Sequence, residues 1–317
     1  MGSSGDAGWL ASAAALTERA RPLSRPNPAV GALIVKDDVV VGRGWTQTGG
    51  RPHAEAIALD EAGEAARSAT LYVTLEPCAH ASARGPACAD LAAAARLARV
   101  VVGIADPDPR TSGRGMARLE AAGLQTRLAD DARCRASLAG YLKRAATGFP
   151  HVTLKLALTA DGFIARADGT SKWITGEAAR AHAHRERARA DAILVGGGTL
   201  RADDPALDVR LPGLADRSPA RWVLTRGSAP DGWAAIAEPA DIGGRGAQYL
   251  LIEGGAGTAA AFLDAGLVDR LLIYRAPAQF GEGIAAFRER EPDGVPQGWL
   301  PVDRRQLGSD ILEVYER

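Results

Sequence analysis

Short runs of β-branched and apolar residues alternate with alanine-rich helical runs along almost the whole chain, and this rhythm restricts the folds open to it more than any other feature. In the first half the strand-like runs are Val30 to Lys36, Val39 to Trp45, Thr70 to Glu76 and Arg99 to Ala105. Helical runs start at His53, around Pro86 to Leu97, and at Gly115 to Ala122, where Gly123 is placed as a C-cap glycine. Such alternation predicts a sheet covered by helices. A further helix is expected over Asp131 to Gly148, ending in a hinge at Gly148, Phe149 and Pro150.

Past that hinge the pattern restarts with His151 to Thr159 and continues with Ala192 to Val195, Arg221 to Thr225, Gln248 to Glu253 and Asp269 to Tyr274. With 317 residues, about twice the usual domain size, and 46% hydrophobic residues, the chain can bury two cores. The expected division is 1–147 and 148–317, both α/β. Between Leu211 and Gly246 the Pro, Gly and Ala content leaves one clear strand, so loops should dominate there.

Charge narrows the partners. Lys plus Arg (38) balances Asp plus Glu (38), which gives no overall field for nucleic acid or for an anionic membrane. A phosphate-bearing ligand therefore needs a local basic site. No apolar run approaches the roughly 20 residues of a membrane span, and the N-terminus lacks a basic leader, so a cytoplasmic setting is expected. Three cysteines cannot close a disulfide set; Cys78 and Cys88 are the pair with metal-site character, and Cys134 is read as a small buried residue.

His53-Ala54-Glu55 opens a helical run, Pro77-Cys78 ends a strand, and Cys88 starts another helix. One imidazole and two thiolates form a catalytic zinc set, because three protein ligands leave a fourth position for water. A carboxylate that is not a ligand can then move the proton, and Glu55 is the candidate. The short deaminase pattern H-x-E followed by P-C-x-x-C is not met, since the second cysteine comes later. A four-ligand structural zinc with His80 as fourth ligand stays open, as does a role for His80 facing substrate.

The stretches Arg25-Pro26-Asn27-Pro28-Ala29-Val30-Gly31, Pro52-His53-Ala54-Glu55 and Tyr72-Val73-Thr74-Leu75-Glu76-Pro77-Cys78-Ala79-His80 resemble the bifunctional deaminase/reductase family of riboflavin biosynthesis. That resemblance implies a cytidine-deaminase-like three-layer α/β/α domain followed by a dihydrofolate-reductase-like α/β domain. It implies zinc on His53, Cys78 and Cys88, proton transfer by Glu55, and substrate contacts from Asn27 and His80. The implied reactions are zinc-dependent hydrolytic deamination of a diaminopyrimidinone ribosylamine 5'-phosphate, then NADPH reduction of its ribosyl group to ribityl. The chain departs from the family at Thr46, where a His is usual, and at Ala83 to Cys88, where the family loop reads Gly-Arg/Lys-Thr-Pro-Pro-Cys and is one residue shorter after Cys78.

In the second half, strands run into Gly196-Gly197-Gly198 and into Glu253-Gly254-Gly255-Ala256-Gly257, a form suited to phosphate at a helix start. Neither is a dinucleotide fingerprint, and tight turns without a ligand are an equal reading of those residues. The same resemblance covers Lys155 to Gly162, Ser171 to Thr175, Ala202 to Leu207 and Glu253 to Gly255. It assigns NADPH contacts to Ala157, Trp173, Thr199, Asp203 and Gly255, and substrate contacts to Ser171, Arg187, Leu207, Arg210 and Glu253. The chain is shorter than the family between Thr225 and Gln248. A deaminase for another nucleobase-like substrate, a homologue with one half degenerate (the deaminase, given Thr46 and the altered loop), and a zinc-stabilised binding module are the competing readings. The expected partner is a small phosphorylated pyrimidine without nucleic acid or membrane, and a homo-oligomer is compatible with this.

Overall fold

A computed structural model describes residues 3–171, 174–287 and 295–317. The chain divides into two compact units, Met1–Thr147 and Gly148–Arg317. Among the described residues, no helix is long and apolar enough to cross a membrane.

The first unit is built on five strands, β1 (Gly31–Lys36), β2 (Val39–Trp45), β3 (Thr70–Leu75), β4 (Arg99–Ile104) and β5 (Gln125–Leu128), in the order β2-β1-β3-β4-β5. β1 runs antiparallel to β2 and β3, and β3, β4 and β5 are mutually parallel. Helix α1 (Ser3–Ala20) packs on β1 and β3 and touches α5 (Ala132–Ser137), whereas α2 (Ala54–Ala62), α3 (Cys88–Ala94) and α4 (Arg114–Ala121) form a second, contiguous group. α6 (Ala139–Thr147) closes the unit. β1, β3 and β4 are almost wholly buried, which accounts for their near-continuous apolar sequence.

Two glycines of β2 set the site's position. A Cβ on Gly44 would lie 2.1 Å from the Ala54 carbonyl oxygen, and one on Gly42 would lie 2.2 Å from that of Ala58. Only glycine lets α2 lie so close to the strand, and that contact fixes the helix start carrying His53 and Glu55.

The sequence reading differs from the fold in two places here. It assigned no element to the N-terminus, where α1 lies; alanine-rich residues with little polar contrast leave no face to read. The single helix expected over Asp131 to Gly148 is two, parted at Leu138, with the Asp131 side chain accepting from the Arg133 and Cys134 amides as N-cap of α5.

The second unit holds an eight-stranded sheet in the order β10-β9-β8-β11-β6-β12-β15-β14. Its strands are β6 (His151–Leu158), β8 (Ala192–Gly196), β9 (Ala220–Leu224), β10 (Trp233–Ile236), β11 (Tyr249–Ile252), β12 (Arg270–Arg275), β14 (Leu300–Leu307) and β15 (Asp310–Glu316). β7 (Phe163–Ala165) and β13 (Ile284–Ala285) form a separate pair. The sheet is parallel except for β15 and β14, which add as an antiparallel hairpin. Helices α7 (Glu177–Arg187), α8 (Gly197–Asp203) and α9 (Ala256–Asp264) complete the unit.

Between Leu211 and Gly246 the structure has two strands instead of one, because β10 pairs in parallel with β9. Trp233 to Ile236 is too short to signal a strand without its partner. β6 alternates cleanly: Val152, Leu154, Leu156 and Leu158 enter the larger core, while Thr153, Lys155 and Ala157 face the other way, half-buried. Each fully buried leucine contributes roughly 2 kcal/mol.

Candidate active sites

His53 precedes α2, Cys78 follows β3 and Cys88 opens α3. Their ligand atoms all lie within 4.8 Å of one another. His53 Nδ1 is 3.3 Å from Cys88 Sγ and 3.7 Å from Cys78 Sγ, and the Cys88 amide donates to Cys78 Sγ at 3.2 Å. This donor set, one neutral nitrogen and two sulfurs converging from three segments, fits zinc with a fourth position left open. The hydrogen bond from the Cys88 thiol holds the Cys78 thiol far below its usual range, with His53 and the Cys88 amide adding to it. The same bond and burial push Cys88 up, and the Arg51 charge works in the other direction. A divalent cation would take both sulfurs as thiolates and release their protons.

Glu55 is buried, 3% exposed, in the first turn of α2. Burial pushes its carboxyl up to about 6, against the pull of His53. A carboxyl poised there can both take and return a proton near neutral pH.

Asn27 lies on the other edge of the imidazole: its side-chain nitrogen is 3.0 Å from His53 Nε2 and donates to the Gly50 carbonyl at 2.9 Å. This arrangement orients the ring nitrogen that faces away from the thiols. His80 is half-buried, with Nδ1 3.4 Å from Thr111 Oγ1, and it is not among the clustered ligand atoms. Thr46 turns inward: its hydroxyl accepts the Val30 amide at 3.0 Å and the residue is 1% exposed.

Sequence reading passed over Glu76, whose carboxylate accepts four amides, those of Asp106, Gly113, Gly115 and Met116, at 2.9 to 3.3 Å. The bonds tie the end of β3 to the start of α4 and so hold the Pro77-Cys78 turn. A Cβ on Gly115 would meet the Pro77 carbonyl at 2.1 Å. An acid placed directly before Pro-Cys is the signal that was available. Asp106, also missed, accepts the Tyr141 hydroxyl at 2.6 Å, and burial pushes its carboxyl up.

In the second unit, β8 and β11 are parallel neighbours, so the glycine turns at their ends come side by side. Thr258 of α9 packs on both, 2.3 Å from a Cβ built on Gly196 and 2.6 Å from one on Gly254. Thr199 Oγ1 is 4.0 Å from the Cβ position of Gly255, which joins those two predicted residues. Ala157 is half-buried on β6 and Asp203 is exposed at the end of α8. Trp173 lies outside the described residues.

Arg187 and Glu253 bind each other bidentately, at 2.7 and 2.9 Å, and Arg187 also donates to the Asp208 carbonyl. Lys155 Nζ is 3.6 Å from Glu253 and 5.8 Å from the centre of the Tyr274 ring. Burial opposes ionisation of Glu253, but Lys155 and Arg187 outweigh it and hold the carboxyl down to about 2. Leu207 is buried with φ +53°, and the Arg210 amide donates to His184 Nδ1 at 3.2 Å. Ser171 is exposed, and among the described residues no hydrogen bond joins it to this group. A single lysine inside the alternating strand His151 to Thr159 was the sequence signal for Lys155.

The family model for the cytidine and deoxycytidylate deaminase zinc-binding region matches residues 4–104, and that for the RibD C-terminal domain matches 150–234 and 240–311. The riboflavin biosynthesis protein RibD of Escherichia coli (strain K12) is 36% identical over 325 residues, covering 86% of this chain and 88% of that one. The RibD protein of Mycobacterium tuberculosis (strain ATCC 25618 / H37Rv) is 42% identical over 308 residues, covering 90% of each. Among solved structures, Acinetobacter baumannii RibD, form 1, matches with a TM-score of 0.84, 35% identity and 98% coverage of both chains. The diaminohydroxyphosphoribosylaminopyrimidine deaminase/5-amino-6-(5-phosphoribosylamino)uracil reductase of Thermotoga maritima matches with a TM-score of 0.88, 27% identity and the same coverage.

Proposed function

This chain belongs to the RibD family of bifunctional riboflavin-biosynthesis enzymes, with a zinc deaminase half and an NADPH reductase half, and we propose that it deaminates a diaminopyrimidinone ribosylamine 5'-phosphate and then reduces the ribosyl group to ribityl. The convergence of His53, Cys78 and Cys88 on one point beside buried Glu55 carries the reading. We assign deamination to 1–147 and reduction to 148–317.

Zinc on those three residues supplies the positive charge that acidifies water. Glu55 takes the proton of the attacking water and returns it to the departing ring amine, so that water replaces the amine by a carbonyl and ammonia leaves. Asn27 holds the His53 ring, and His80 faces the substrate. Burial of Glu55 beside the clustered ligand atoms, which favours its protonated form, supports a carboxyl that takes up and returns a proton.

In the second half NADPH supplies the hydride. Thr199, Asp203, Gly255, Ala157 and Trp173 hold the cofactor, supported by the paired glycine turns. Ser171, Leu207 and Arg210 contact substrate. Arg187 and Glu253 do so as a preformed pair, since each fixes the other's rotamer before ligand arrives. Balanced net charge supports a small phosphorylated pyrimidine as partner, without nucleic acid, in the cytoplasm.

The test is one assay of the purified protein with the pyrimidine ribosylamine phosphate, with and without NADPH, read by mass spectrometry. Loss of the amine without NADPH, followed by gain of two hydrogens with it, is expected. An unchanged substrate in both arms overturns the reading.

A further inference from the structure

Two loops flank the zinc triad. One runs from β2 through Gln47 to Pro52 and delivers His53; the other joins Cys78 to Cys88. The second is folded into a small hairpin by Ser82 and Gly85, which exchange backbone hydrogen bonds of 3.0 Å. Each loop sends an arginine to the other. Arg51 Nη1 donates to the Pro86 carbonyl at 3.3 Å, and Arg84 Nη2 donates to the Gly49 carbonyl at 2.8 Å. Glycines leave room for both guanidinium groups: a Cβ on Gly85 would lie 3.3 Å from Arg51 Nη1, and one on Gly49 3.9 Å from Arg84 Nη2.

Neither of these arginines pairs with an acid among the described residues, and each spends its hydrogen bond on a carbonyl of the opposite loop. Elsewhere in this unit Arg99 and Arg127 pair with Asp6, Arg110 with Asp108, and Arg118 with Asp90. Among the described residues, Arg51 makes no ion pair and uses one of its five N–H donors, on a carbonyl. Thr46, where the family carries an imidazole, is buried and satisfied by the Val30 amide, so it brings no charge to the site. A site for a phosphorylated substrate needs local positive charge in a chain whose net charge is zero.

We propose that Arg51 is a specificity-determining residue of the deaminase site, binding the substrate phosphate from the loop facing Arg84. This rests on the deaminase reading above. A planar fork with open donors suits bidentate contact to phosphate oxygens, and the carbonyl bond to Pro86 aims it in advance. Because Arg51 lies two residues before a zinc ligand, phosphate position and the metal centre are set by the same short segment.

The experiment compares the wild type with Arg51→Ala and Arg51→Lys on the ribosylamine 5'-phosphate and on the same compound lacking its phosphate. Zinc content is measured on each sample. Wild type should prefer the phosphorylated compound, and Arg51→Ala should lower that preference about tenfold or more, mainly through KM, as loss of a charged hydrogen bond does. Arg51→Lys should recover part of it. Equal losses on both compounds, or loss of zinc, would mean a purely structural role and overturn the proposal while leaving the deaminase reading intact. If the wild type turns over neither compound, the deaminase reading fails and this inference falls with it.

Discussion

At the scale of single residues, Glu55 and Glu253 show opposite uses of a buried carboxyl. Glu55 has burial as its dominant influence and is pushed up to about 6; Glu253 is buried against two cations and is held at about 2. Glu55→Gln keeps the volume and every zinc ligand. Zinc content should therefore stay at the wild-type level, while deamination falls on the order of 10⁴-fold, because in the proposed mechanism one group fills both acid and base roles. Reduction of already deaminated substrate, followed by nicotinamide oxidation, should persist; its collapse would show that the two activities are not separable.

Glu253 makes a stability prediction with a definite sign. Its folded value lies below the ordinary 4.5, so the ionised form is favoured by folding. The contribution is complete above that ordinary value and is lost as pH falls through about 2. Glu253→Gln should lower denaturant stability at pH 7 by on the order of 3 kcal/mol, since Arg187 and Lys155 lose their partner and removing one member of a buried pair leaves an uncompensated charge. The gap between variant and wild type should shrink on acidification. A gap that stays constant down to strongly acid pH would refute the assignment.

At the scale of elements, the zinc centre depends on a strand and a helix that supply no proton to the reaction. Glu76, at the end of β3, accepts four amides around the start of α4. Removing it leaves two buried donors, the Asp106 and Gly115 amides, unsatisfied, each costing roughly 1 to 3 kcal/mol. Glu76→Ala should destabilise the first unit by about 3 kcal/mol or more and speed zinc loss to a chelator, because Cys78 is two residues along. Urea unfolding and a timed zinc release measure the two effects, and a stable variant with normal zinc retention would rule out this role. The same logic explains the glycines of β2, whose contacts with α2 admit no side chain. Had Gly44 a Cβ, the helix carrying His53 would have to move off the sheet.

For the whole molecule, the decisive fact is that each unit contains its own hydrophobic clusters. Leu10 to Leu138 form one core, and three clusters from Val152 to Val314 form the second unit's interior. A fragment starting at Gly148 should consequently fold and bind NADPH alone. Titration followed by nicotinamide fluorescence should saturate; a folded fragment that fails to bind would place part of the cofactor site outside it.

Much of this was legible before any coordinates. Strand and helix rhythm came from local periodicity, and His53, Cys78 and Cys88 as a candidate metal-binding set from residue types whose reactivity is the same wherever they occur. Those properties belong to short segments, so sequence alone determined them. Helix α1 and strand β10 were not legible, since an alanine-rich helix has no contrasting faces and a four-residue strand exists only through its pairing with β9. The partnering of Arg187 with Glu253, the clamp made by Glu76 and the crossing of Arg51 and Arg84 were likewise decided only by the tertiary structure. Each joins residues separated by 30 to 66 positions, and a charge's partner over such a span is set by how strands and helices pack, which no local pattern encodes.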